Sequence, residues 1–212
     1  MDKLAFEDFF SRNKFILIII AAVIVLGPGG FFGYRYYTGK INASANAKLW
    51  KGVRLLMAFN GKNPQVITDS ITYLKEVKSS YGSTGAAKIS NFYLGFDYMR
   101  IGRADDADKY FKEYIKSYPK PDQDNLTYLA YSNLAAIALA TKDYEGAIND
   151  YQSMSAVDGV KLREFALLSE AAVYSQIKKP SMAVSIYKKM LATENLGGDR
   201  GYIENLIQLN SR

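Results

Sequence analysis

The 212-residue chain sets 27 Lys and Arg against 21 Asp and Glu, a formal charge of +6, and has neither histidine nor cysteine. That composition removes imidazole and thiolate metal sites, disulfides, thiol catalysis and every triad whose base is histidine. The basic residues are scattered, as in Lys48, Lys51, Arg54, Lys109, Lys112 and Lys188, and form no long run. A scattered excess keeps a helical surface soluble, whereas a nucleic-acid binder needs a clustered stripe. No cofactor, metal, nucleic acid or small-molecule substrate is expected.

From Phe15 to Tyr34 the sequence reads FILIIIAAVIVLGPGGFFGY, without a charge. Twenty residues at about 1.5 Å each match a hydrocarbon layer of roughly 30 Å, which predicts a spanning helix. Arg12 and Lys14 precede it, and Tyr34, Arg35, Tyr36 and Tyr37 follow as an aromatic and cationic belt. Pro28 and its neighbouring glycines are tolerated in spanning helices, where they read as a kink more readily than as a contact face. A cleaved signal peptide is the rival reading, but its small-residue sites at Ala43-Ser44-Ala45 and Ala45-Asn46-Ala47 lie far beyond the apolar core. Basic residues flank both ends, so counting charge leaves orientation open.

Beyond Asn42, apolar residues recur at three- and four-residue steps between Gly, Pro, Asn and Asp punctuation, with no sustained period-two alternation. The fold class expected is all-α, an N-terminal transmembrane helix followed by a solenoid of helical hairpins. The predicted helices span about 42–60, 64–80, 84–101, 104–117, 124–141, 144–155, 162–177, 180–193 and 199–209. In outline, 1–14 is a short tail, 15–34 the span, 35–47 a juxtamembrane stretch leading into the first helix, and 48–212 the helical domain.

Aligning the segments on their turns exposes an internal repeat. The first clear unit, about 88–121, holds Leu94-Gly95, Tyr98, Ala107, Phe111 and Pro119. The second, about 128–161, offers Leu134-Ala135, Ala147 and Tyr151, and the third, about 164–197, offers Ala171, Tyr174, Ala183 and Tyr187. These stand at tetratricopeptide offsets, small residues letting helices approach and large ones filling the space between hairpins. The steps from Ala107 to Ala147 to Ala183 are 40 and 36 residues, stretched by insertions such as Pro119 to Asp124. Lys48 to Tyr81 reads as a degenerate first hairpin and Asp199 to Leu209 as a closing helix.

Gly33-Tyr34-Arg35-Tyr36 after an N-terminal anchor, followed by Asn42 to Trp50 and then the repeats, resembles the YfgM-like family of bacterial tetratricopeptide proteins. The resemblance implies a single-pass inner-membrane protein with a cytoplasmic N-terminus and a periplasmic repeat domain. It further implies association with the SecYEG translocon and the periplasmic chaperone PpiD, and an accessory role in handling exported clients.

Asp105, Asp106 and Asp108 form the densest carboxylate group, and their place at a predicted helix start makes them caps and dipole partners before metal ligands. Asp143 and Glu145 occupy the equivalent place one repeat later. The abundant tyrosines read as packing between helices before they read as stacking platforms. A ligand groove is expected along the first helix of each repeat, with Phe92, Phe96, Met99, Arg100, Ser132, Ala136, Leu139, Ala172, Ser175 and Gln176. Phe92, Phe96 and Met99 are its expected apolar anchor. The function expected is an interaction scaffold and not an enzyme. The alternative is a structural subunit of a larger membrane complex.

Overall fold

The computed structural model describes residues 3–117, 126–157, 160–192 and 200–211; within these, the side chains at 3–11, 17, 20–22, 24–28, 160 and 161 are outside the description. Among the described residues the chain is all-helical, without a strand. The helices are α1 (Lys3–Ala58), α2 (Pro64–Ser80), α3 (Gly85–Arg100), α4 (Ala104–Ser117), α5 (Leu126–Ala140), α6 (Tyr144–Ser155), α7 (Val160–Gln176), α8 (Pro180–Leu191) and α9 (Arg200–Asn210).

The largest departure from expectation is α1. The span at 15–34, the juxtamembrane stretch 35–47 and the first predicted hairpin helix form one helix of 56 residues, about 84 Å long. The stretch 35–47 has no proline, and the Thr38 hydroxyl bonds back to the Tyr34 carbonyl at 2.8 Å, so nothing breaks the ladder. Among the described residues no helix is long and apolar enough to cross a membrane, and much of the apolar segment, Pro28 included, has side chains outside the description. The structure therefore does not show the expected span.

The remaining helices pair in succession, and α1 also packs on α3. The repeat positions explain why. Ala107, Ala147 and Ala183 are completely buried, and Phe111, Tyr151 and Tyr187, each four residues later on the same helix face, are buried beside them. At Gly95 an added Cβ would stand 2.7 Å from the Phe111 ring, so only glycine lets that ring reach the α3 backbone. The core forms three clusters. The first joins the C-terminal part of α1 to α2, α3, α4 and the near face of α5; the second joins α5, α6 and α7; the third joins α7, α8 and α9. Tyr131 borders the first two and Tyr174 the last two, so half-buried tyrosines bridge neighbouring hairpins.

The turns repeat as faithfully as the core. Gly102, Lys142 and Lys178 adopt left-handed backbone at φ 73°, 62° and 58°. At each, the next amide donates to the carbonyl five residues back: Arg103 to Tyr98 at 2.9 Å, Asp143 to Ala138 at 2.8 Å and Lys179 to Tyr174 at 2.9 Å. This closure satisfies carbonyls that the ending helix leaves open. Starts are capped by side chains where the residues allow: Asn63 accepts from the Gln65 amide at 3.0 Å, Thr84 from Ala87 at 3.2 Å and Asp143 from Gly146 at 2.9 Å. Asp143 is thus the cap expected for it. Asp105 and Asp106 lie in the first turn of α4, Asp106 pairs with Arg103, and Asp108 pairs with Lys112 at 2.9 Å. The insertion Pro119 to Asp124 and the start of the closing helix at Asp199 fall outside the described residues.

Gly95→Ala should lower the unfolding free energy by about 1–3 kcal/mol, because the Phe111 ring must leave its seat; urea unfolding followed by circular dichroism checks this. Lys142→Gly and Lys178→Gly should each raise the melting temperature, with up to about 1 kcal/mol gained from relieved left-handed strain. A drop in either would mean that the lysine side chain matters more than its backbone.

Candidate functional site

The first helix of each hairpin carries one stripe at the margin of the core, exposed on α1 and half-buried against the first core cluster on α3. On α1 this stripe is Trp50, Arg54 and Met57, all exposed; on α3 it is the half-buried Ile89, Tyr93 and Phe96 with exposed Arg100. On α5 it is Leu129, Asn133, Ala136 and Ala140, and on α7 Phe165, Ser169, Ala172 and Gln176. Each follows steps of three and four residues, the spacing that places side chains on one helix face. The Trp50 and Tyr93 rings lie 6.5 Å apart at 58°, which joins the α1 and α3 stripes into one surface. Trp50 at 51%, Met57 at 66% and Phe165 at 53% exposure leave large apolar area in water. Exposed aromatic and methionine side chains grouped this way are the usual material of a protein contact.

Beneath this surface lies the most unusual polar group in the domain. Asp97 is fully buried in α3, its Oδ2 lies 2.8 Å from the Ser70 hydroxyl of α2, and Oδ1 has no hydrogen-bond partner. Ser70 Oγ is also 3.0 Å from the Gly52 carbonyl of α1. A hydroxyl has one proton, so Ser70 serves one acceptor at a time: it donates to an ionised Asp97, or it donates to Gly52 while accepting from a neutral Asp97. Burial raises the Asp97 carboxyl from its ordinary 3.8 to about 7, opposed by the Ser70 bond and by the charge of Arg100. Asp97 thus ties α1, α2 and α3 together through one proton.

A second acidic group faces a cleft of about 360 Å³ between α4, α5 and α6, where Asp105, Asp108, Asp143 and Asp150 surround Lys112. Burial pushes Asp150 up to about 6, Lys112 opposes this, and Asp108 and Asp143 add to it. Among the described residues no group of three or more acidic side chains is arranged to hold a metal ion.

Repeated hairpins, small buried residues at matching positions and a recurrent left-handed turn define the architecture. Residues 7–198 match the family model described as a tetratricopeptide repeat-like domain. The chain belongs to this family. The match takes in the whole uncharged run from Phe15 to Tyr34 as well as the repeats. A comparison with curated proteins finds no match. A tetratricopeptide-like domain of this kind points to a protein-protein interaction scaffold.

Within this repeat domain the predicted groove residues divide. Phe96 is on the α3 stripe, Ala136 on α5, and Ala172 and Gln176 on α7, while Ser132 is half-buried one position from Asn133. Phe92 is not available: it is 2% exposed and stands among Phe96, Phe111 and Tyr114 with ring centroids 5.0–5.9 Å apart. The expected register was off by one for this residue, and the ring that fills the α3–α4 interface cannot also meet a partner. Met99 and Leu139 are half-buried against the first and second clusters. Arg100 is exposed but donates from Nη1 to the Phe59 carbonyl at 3.0 Å, fastening α3 to the loop after α1. Ser175 donates to Asn210 Oδ1 at 2.6 Å, so α9 covers it. The sequence reading missed Trp50, Met57, Tyr93, Leu129 and Phe165. Counting back from Phe96 in steps of three and four reaches Tyr93 and Ile89, and that count was the available signal.

Because the folded state holds the Asp97 proton up to about pH 7 and the unfolded chain releases it near 3.8, this group's stabilisation is complete below about 3.8 and lost as pH rises through about 7. The unfolding free energy should therefore fall from pH 5 to pH 8, by at most about 1.4 kcal/mol per pH unit from this site. Asp97→Asn should flatten the slope, leaving the smaller part due to Asp150, and should be more stable than the parent at pH 8. An unchanged slope in denaturant titrations of Asp97→Asn would remove Asp97 from the account.

Proposed function

We propose that the chain is a membrane-anchored scaffold whose repeat domain holds partner proteins on the apolar surface formed by Trp50, Met57, Tyr93 and Phe96. The single observation that carries this reading is that Trp50 and Met57, both more than half exposed on α1, adjoin the half-buried aromatic edge of α3, with the Trp50 and Tyr93 rings 6.5 Å apart. Burying a few hundred Å² of such area yields several kcal/mol at about 25 cal/mol per Å², enough for transient client contacts.

The anchor is supported by the uncharged run from Phe15 to Tyr34 and by what surrounds it on α1. Phe15, Ile16, Ile18, Ile19 and Val23 are each more than half exposed, an apolar face with a need for cover that a bilayer meets. Tyr34, Tyr36 and Tyr37 are exposed at the end of the run, with Arg35 over the Phe31 ring at 5.9 Å and Lys40 over Tyr36 at 5.6 Å, the composition of an interfacial belt. At the other end Lys14 lies 5.4 Å from the Phe15 ring centre, close to Arg12 in the chain. On the YfgM-like resemblance, the finer reading is an accessory factor of the Sec translocon in the bacterial inner membrane. Its N-terminus is cytoplasmic and its repeats periplasmic, with translocon subunits, a chaperone such as PpiD, or exported clients as partners. The continuity of α1 matters to this reading, since one stiff helix would hold the repeat domain at a set distance from the bilayer. No enzymatic step is proposed.

The test places a photo-cross-linking residue at Tyr93 or Leu129 of the full chain in its native membrane, followed by mass spectrometry of the adducts. Translocon, chaperone or exported-protein adducts that fall at least about tenfold with Trp50→Ala are the expected outcome. One fixed neighbour recovered in equal ratio, indifferent to Trp50→Ala, would replace the scaffold with a structural subunit.

A further inference from the structure

Two polar ties hold the last turns of α1 on the repeats, and both are made by neighbours of Asp97. Ser70 of α2 reaches the Gly52 carbonyl at 3.0 Å, and Arg100 of α3 donates from Nη1 to the Phe59 carbonyl at 3.0 Å. Ser70 also lies 2.8 Å from Asp97 Oδ2, while Arg100 stands three residues beyond Asp97 on the same side of α3, where its charge acts on the carboxyl. Gly52 is pressed so closely on α2 that an added Cβ would stand 2.9 Å from the Leu74 side chain. Asp97 is fully buried beside this contact, so water does not reach its unpartnered Oδ1 while α1 stays seated. The other charged groups of the surrounding helices are engaged elsewhere. On α1, Lys51 lies over the Tyr73 ring at 4.4 Å and Arg54 is on the exposed stripe; on α2, Asp69 accepts from Gln65 at 2.7 Å and Lys75 lies over Tyr98 at 5.6 Å. On α4, Asp106 pairs with Arg103 and Asp108 with Lys112.

We propose that the Asp97 proton gates the α1–α3 surface, seating the end of α1 so that Trp50 and Met57 stand beside Tyr93 and Phe96, and that its loss lets this end lift. Neutral Asp97 donates to Ser70, which leaves the Ser70 proton for Gly52 and the Arg100 guanidinium for Phe59. When the carboxyl proton passes to solvent, the carboxylate competes for both donors, and a charge-assisted bond is the stronger one. Both ties on α1 then weaken together. A buried carboxylate with one oxygen unpaired also outweighs the burial of the one or two apolar side chains, such as Leu56, that covering it provides. The Lys48–Glu76 ion pair earlier on α1 does not depend on this proton, so the movement is confined to the end of the helix before the turn at Gly61. Burial places the exchange near neutrality, with the carboxyl raised to about 7, so the seated form is the acid form and the lifted form the alkaline one. The inference rests on the scaffold reading for what the surface holds, and adds how that surface is regulated.

The chain has no cysteine, so paired cysteine substitutions carry nitroxide labels at chosen sites alone. The experiment reads electron–electron resonance distances in the full chain in detergent micelles across pH 5 to 8.5. One pair is Met57→Cys with Leu129→Cys, between α1 and α5; the reference pair is Leu129→Cys with Phe165→Cys, between α5 and α7. The Met57 pair should give one narrow distribution at pH 5 and a second, displaced population at pH 8.5, while the reference pair stays as it is. Asp97→Asn, which keeps a donor toward Ser70 and carries no charge, should hold the narrow distribution throughout. Arg100→Gln keeps a donor for Phe59 but removes the charge that favours ionisation, and should move the midpoint up by about half a pH unit or more. Cross-linking from Tyr93 should yield at least about threefold fewer adducts at pH 8.5 than at pH 6, with equal yields in Asp97→Asn. A Met57 distribution that ignores pH, or that changes equally in Asp97→Asn, would overturn the proposal, as would adducts indifferent to pH. Adducts at both pH values with an unmoved Met57 label would leave the scaffold reading standing and remove this one. A proton-dependent distance with no adducts from any variant would sink the scaffold reading and leave the movement of α1 standing.

Discussion

Close approach of paired helices at small residues is the constraint on which the rest of the domain depends. Ala107, Ala147 and Ala183 leave no room for solvent, and the aromatic ring four residues further on fills the space that approach creates. Gly95 takes this to its limit, since the Phe111 ring lies where a side-chain carbon would be. Protein interiors tolerate neither voids nor overlap at this scale, so the pairing of small and large residues sets how each hairpin closes. Once closed, a hairpin has one further buried face to offer, and the next hairpin takes it.

What joins one hairpin to the next is less uniform than what closes each. Tyr131 and Tyr174 bridge the clusters, each half-buried against two of them. Between α2, α3 and α4 the seam is aromatic and cationic: Tyr98 and Tyr110 stack with centroids 5.4 Å apart and planes at 4°, and Lys75 and Lys78 lie over them. Between α6 and α7 the apolar seam also carries a polar contact, with Gln152 donating to the buried Glu170 at 2.8 Å. Such seams bury charge and ring together, which fixes the register between repeats. The Asp97 tie belongs to the same class, but it fastens the long first helix to the repeats through a proton that it holds only below about neutral pH.

The same geometry that buries one face of each first helix leaves its opposite stripe open. On α1 and α3 that stripe is aromatic and thioether, and on α5 it thins to Leu129 and alanines before Phe165 restores a ring on α7.

The amino-acid sequence by itself determined the helical class, the hairpin boundaries to within about two residues and the repeat register, because these rest on local periodicity, caps and turn residues. It also marked Asp143 as a cap, and the alanine and aromatic positions as core because these recur from unit to unit. Tertiary structure alone decided the rest. Whether Phe92 or Tyr93 faces outward is a rotation of about 100° on α3, settled by the seat that Gly95 and Ala107 make for Phe111 and by the rings gathered around it. That Arg100 serves a loop carbonyl, that Ser175 lies under α9, and that Ser70 meets both Asp97 and Gly52 are contacts between residues 18 to 41 positions apart, which no local pattern encodes. The merging of anchor, linker and first hairpin helix into α1 has the same cause in reverse: no residue between 35 and 47 stops a helix, so it continues until Phe59 to Asn63, where Gly61 at φ 82° and the Asn63 cap turn the chain back.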